Sequence, residues 1–96
     1  MITIRAILYL YENVRESSFR SGYRPTFDLG KGLTSGRILL LNDKKDFSPG
    51  EKEEVEINFL YKEFLGDRFK VGENVIFTEG ITPVGEIEIL KILSLE

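Results

Sequence analysis

Residues 2 to 11, "ITIRAILYLY", alternate so strictly that they leave little choice of local structure. Ile2, Ile4, Ala6, Leu8 and Leu10 fall on one side of an extended chain, and Arg5, Tyr9 and Tyr11 on the other. A period of two with β-branched and aromatic residues predicts a strand with one buried face. The pattern recurs at 54 to 61, "EVEINFLY", with Val55, Ile57 and Phe59 inward and Glu54, Glu56 and Asn58 outward. It returns in "VIFTEG" (75 to 80) and in "GEIEILKIL" (85 to 93), where Ile87, Ile89 and Lys91 share a face. Residues 37 to 41, "RILLL", read as a short buried strand, and 23 to 29, "YRPTFDL", as a strand led by a proline. No 3.6-residue periodicity of helix length occurs. Six or seven short strands at such spacings predict an all-β sandwich or barrel.

The connections carry turn chemistry. Residues 12 to 18, "ENVRESS", are polar, residues 30 to 36, "GKGLTSG", hold three glycines, and Pro49-Gly50 suits a type II turn. Residues 62 to 74 fit a loop with a short strand or half a turn of helix. No repeat, low-complexity tract or linker divides the 96 residues, which predicts one domain over 1 to 96.

The chain has no cysteine and no histidine. Disulfides, thiolate zinc sites and cysteine nucleophiles are thereby excluded, and the usual general base near neutral pH is missing. No phosphate loop of the form G-x-x-x-x-G-K-[ST] occurs; "GKGLTSGR" spaces its glycines wrongly and reads as a turn. We expect no enzyme, no cofactor, no metal and no GTP binding. No run of about 18 apolar residues spans a membrane. Arg5 interrupts the N-terminal apolar run, and no small-residue cleavage site follows, so a cytoplasmic protein is expected.

Charge is acidic overall, 16 acids against 13 bases, which disfavours a dedicated nucleic-acid binder. The first 37 residues invert this. Arg5, Arg15, Arg20, Arg24, Lys31 and Arg37 face only Glu12, Glu16 and Asp28, a local excess of about +3. Scattered solvated charge and a small phosphate-contacting patch both fit. The outward acids of "EKEEVE" and "GEIEIL" read as solvated strand faces that discourage edge pairing.

The most constrained backbone is "FRSGYRPTFDLG", 19 to 30. Gly22 permits a tight turn, Pro25 removes a donor, and Arg24 before it is pushed towards extended geometry. Arg24 can fork to Asp28, Glu63 or Glu79, or Tyr23 and Arg24 can face a partner, as such residues often do. Phe64-Leu65, in an otherwise polar stretch, fits an exposed docking pair or a lid over one barrel end.

"FRSGYRPTF" resembles the Phe-Phe-x-Gly-Tyr-Arg-Pro-x-Phe signature of the third, C-terminal β-barrel domain of the elongation factor Tu family of translation GTPases. The matching positions are Phe19, Gly22, Tyr23, Arg24, Pro25 and Phe27. "SPGE" (48 to 51) falls where that family has Pro-Gly-Asp. Glu79, Gly80, Val84, Gly85, Lys91 and Leu93 fall on its closing hairpin. The resemblance is collinear over nearly the whole chain and implies a closed six-stranded antiparallel barrel. It also implies a stand-alone copy of the domain, an expectation that Met1 just before the first strand favours.

In the full-length factors this domain helps hold the T-stem of aminoacyl-tRNA, packs on the GTPase domain and is touched by the exchange factor. The stretch reading Arg-His-Thr there reads Arg15, Glu16, Ser17 here. The hairpin's arginines and second glycine become Thr78, Ile81 and Thr82. Glu16 would repel a phosphate backbone. Two expectations follow. The first is a non-catalytic module that binds a protein or serves as a translation-linked adaptor. The second is an RNA or aminoacyl-tRNA binder using the N-terminal bases. The candidate contact residues are Arg15, Ser17, Arg20, Tyr23, Arg24 and Phe64.

Overall fold

Strand β1 (Ile2–Leu10) sits between two neighbours far away in sequence, β4 (Lys52–Phe59) and β6 (Thr82–Leu95). With β2 (Thr26–Asp28), β3 (Leu33–Leu40) and β5 (Asn74–Glu79) they close in the order β1-β4-β3-β2-β5-β6, every pair antiparallel. This computed structural model describes residues 1–95. The fold is all-β, a closed six-stranded barrel as expected, and closure removes the exposed edges an open sheet would present.

The inward faces are those the alternation marks. Ile2, Ile4, Ala6, Leu8 and Leu10 of β1 and Val55, Ile57 and Phe59 of β4 are buried. Phe27, Phe47, Phe59 and Phe77 are the largest fully buried rings. Phe27 meets Phe59 edge-on at 5.4 Å and Phe77 at 5.5 Å. Each such side chain contributes about 1.5–3 kcal/mol of burial, and the edge-on pairing adds a smaller directional term.

Two sequence expectations need correction. Residues 33 to 36 belong to β3 rather than to a glycine turn, which shrinks to the residues before Leu33. Gly36 is a packing glycine: a Cβ there would stand 2.7 Å from the rings of both Phe27 and Phe59. Lys91 does not share the buried face of Ile87 and Ile89. The β1–β6 register slips between Arg5 and Ala6, where β6 carries an extra residue, and Lys91 turns out to solvent. Of the two readings of residues 62 to 74, half a turn of helix holds, and no strand begins among them before Asn74. These residues make a 3₁₀ turn at Lys62–Phe64 and then a loop, with Leu65 bridged to Gly30. The Pro49-Gly50 turn behaves as read. Gly50 adopts φ 91°, and the Glu51 N–H donates to the Ser48 carbonyl at 3.0 Å.

Candidate functional site

The strand entry that the sequence singles out is held on both sides. Gly22, at φ 99°, lets the Tyr23 N–H donate back to the Arg20 carbonyl at 3.2 Å. The Gly22 N–H and the Tyr23 carbonyl then close a bridge on Ile38, both at 2.8 Å, and the Pro25 carbonyl accepts from Gly36. Pro25 is buried and lacks a donor, so the regular ladder of β2 begins only at Thr26.

This turn stacks Tyr23 on Phe19, with centroids 4.4 Å apart, and Phe19 on Phe47 at 5.2 Å. A cation stands at each end of the column. The Arg15 guanidinium lies 5.0 Å from the Tyr23 centroid, and the Lys44 ammonium 5.6 Å from that of Phe47. Two loops distant in sequence are thereby pinned to one aromatic pile.

The Tyr23 hydroxyl donates to Glu79 Oε2 at 2.5 Å, and the same oxygen accepts from Arg15. Burial of the ring, then the Glu79 carboxylate, pushes the phenol well above its ordinary value, so it stays a donor at neutral pH. Arg15 is anchored further by Ser17, through the carbonyl at 2.9 Å and the hydroxyl at 3.2 Å. Arg15, Ser17 and Tyr23 thus belong to one knot closed by Glu79. Arg20 lies apart, mostly exposed, 3.4 Å from Asp46.

Arg24 pairs with none of Asp28, Glu63 or Glu79. Asp28 instead accepts from the Gly30 N–H at 2.9 Å, and Glu79 is occupied by the knot. The Phe64-Leu65 pair is half-buried. Phe64 meets Tyr61 edge-on at 6.2 Å, and Leu65 packs against the core, so the pair is not freely exposed.

The juxtaposition that sequence reading missed lies on the outer face of β2 and β3. Thr26 faces Ser35, and Tyr23 faces Ile38, so the same register sets Arg24 opposite Arg37. Arg37 in turn faces Asn58, and Asn58 faces Thr3, whose hydroxyl donates to Asn58 Oδ1 at 3.0 Å. Arg24, Ser35, Arg37 and Asn58 line one groove with Met1 and Leu60, and Leu60 is 61% exposed. Among the described residues neither Arg24 nor Arg37 makes an ion pair. The nearby acid on the adjoining row, Glu56, lies against Arg5 at 3.6 Å. The signal for this pair was hidden because the proline disguises how far the β2–β3 register extends.

Among the described residues no group of three or more His, Cys, Asp or Glu could hold a metal ion, and no helix is long and apolar enough to cross a membrane. Compared with known proteins, the sequence matches no family model and no curated protein.

Proposed function

We propose that this barrel is a non-catalytic protein-binding module, active in the cytoplasm, on a scaffold akin to the C-terminal barrel of the elongation factor Tu family. The observation that carries the reading is the outer face of β2 to β4. Leu60 and Met1 stand exposed there beside two arginines that have no carboxylate partner among the described residues. Apolar side chains mixed with arginine form the usual chemistry of a protein interface core and its rim.

Support for the scaffold is twofold. The six-stranded closed barrel agrees with what the resemblance implies. The Phe19 to Pro25 stretch also has a clear structural task, stacking two rings and docking β2 on β3. A shared barrel by itself carries no function, so the reading rests on the surface.

The RNA reading draws on Arg15, Ser17 and Arg20. Arg15 is committed to Glu79 and Ser17, and Arg20 lies beside Asp46, which weighs against a free phosphate-contacting row. The test is affinity capture from native lysate, followed by titration of the captured protein in purified form. A saturable complex with a purified protein supports the reading. Recovery of nothing above background, or only of RNA-dependent material, overturns it.

A further inference from the structure

We propose that the Arg24–Arg37 groove takes an acidic peptide segment of a partner protein, its carboxylates on the two guanidinium groups and an apolar side chain against Met1 and Leu60. The inference rests on the protein-binding reading and names the chemistry of the partner.

The placement of the two arginines carries a cost. Residues directly opposite on neighbouring antiparallel strands bring their Cβ atoms to about 4.5–5.5 Å, and like charges there are unfavourable. Arg24 and Arg37 occupy such a pair, both exposed. Of the other four arginines, three have a carboxylate partner and, among the described residues, Arg68 has none. Arg5 has Glu54 and Glu56, Arg15 has Glu79, Arg20 has Asp46, and Lys44 has Glu51 and Glu53. The carboxylates closest in register to the pair are engaged, Asp28 with the Gly30 N–H and Glu56 with Arg5. In a protein of net charge −3, two adjacent uncovered arginines are a local inversion of sign.

The groove between them has a volume of about 100 Å³, with room for one aliphatic side chain and not for a stacked base. Ser35 and Asn58 border it as neutral hydrogen-bonding groups, and Met1 and Leu60 form its apolar wall. A planar guanidinium can hold a carboxylate through two parallel N–H···O bonds.

A nucleic acid fits less well. Phosphate binding draws on an array of cations following the backbone, with aromatic platforms for bases in single strands. Here the array ends after two residues, and the groove residues include no aromatic ring. Charge complementarity and the apolar wall together favour a segment that alternates carboxylates with an aliphatic residue.

The test is an NMR titration of the ¹⁵N-labelled full chain with the nonapeptide (Glu-Glu-Leu)₃, at low and at near-physiological salt. We expect saturable shifts at Arg24, Ser35, Arg37, Asn58 and Leu60, including the arginine Nε–H signals, and none in the Arg15–Tyr23–Glu79 knot. Arg24→Gln and Arg37→Gln, each at an exposed position and each relieving the like-charged pair, should not lower the melting temperature and should weaken binding about tenfold each. The matched (Gln-Gln-Leu)₃ peptide should bind at least about tenfold more weakly.

No saturable binding of the acidic peptide overturns the proposal. Equal binding of the glutamine peptide, unchanged binding by the double variant, or tighter binding of bulk tRNA at the same arginines does so too. If the double variant still captures the same partner protein from lysate, protein binding stands and this groove is not its site.

Discussion

Gly85→Ala offers a demanding test of the packing that holds the aromatic column and the strand entry together. Gly85 is buried in β6 opposite Phe77. A Cβ built there would lie 2.3 Å from Phe77 Cζ, 2.6 Å from its Cε2 and 2.6 Å from the Tyr9 carbonyl oxygen. Ordinary contact begins near 3.4 Å, so the ring must retreat by about 1 Å. It has nowhere to go, because Phe77 abuts Phe27 at 5.5 Å and Tyr23 at 6.5 Å. Overpacking of this kind costs about 3 kcal/mol, while the lost freedom of the unfolded glycine returns about 0.7 kcal/mol. The net destabilisation of about 2 kcal/mol is a sizeable part of the roughly 5–14 kcal/mol expected for a chain of this length. In a domain of this size it lowers Tm by about 8–16 °C, readable by circular dichroism or calorimetry.

Two controls separate crowding from backbone effects. Gly80→Ala, at φ 61° with nothing within 4 Å of the new Cβ, pays only for its left-handed backbone, about 1 kcal/mol. Phe77→Leu in the Gly85→Ala background removes the ring atoms that clash and leaves the Tyr9 carbonyl contact. The cycle should therefore show a favourable coupling of about 1 kcal/mol. A Gly85→Ala melting temperature within about 2 °C of wild type, or a cycle with no coupling, would refute the reasoning.

Tyr23→Phe removes the donor to Glu79 while Arg15 still holds that carboxylate. We expect a loss of about 1 kcal/mol, kept modest by the exposure of Glu79, measured by urea titration at pH 7. The folded phenol titrates above the ordinary value of 10.0, so its contribution is fully present below that pH and fades as pH rises beyond it. Wild type should therefore lose stability above pH 10 more steeply than Tyr23→Phe does, in thermal melts across that range. At the acid end, Glu51 accepts from the Ser48 N–H at 2.6 Å and from Lys44 at 3.0 Å. These contacts, the backbone one first, hold its carboxyl below the ordinary 4.5. Its stabilisation is present above that value and is lost as pH falls below it, so Glu51→Gln should melt lower than wild type at pH 7, with the gap narrowing as pH falls below 4.5.

Much of the barrel is legible in the chain. The alternation in β1 and β4 names the buried faces residue by residue, because a pleated strand turns successive side chains to opposite sides. The polar loop at 12 to 18 and the Ser48–Glu51 turn follow from local chemistry as well. Where the reading failed, the cause was non-local. Gly36 looks like part of a turn until Phe27 and Phe59 are known to fill the space above it. Lys91 looks inward until a bulge against β1 shifts the period.

The candidate site divides along the same line. Composition alone rules out cysteine and histidine chemistry, and Gly22 and Pro25 alone announce a controlled backbone at Arg24. That Arg15 would be tied to Glu79, 64 positions away, and that Arg24 would stand opposite Arg37 with no acid between them, are products of closure. Strand propensity and burial are short-range properties, written in successive residues. The pairing of strands and their register are settled only when the whole core closes, and that register decides which charges are neutralised and which stay exposed.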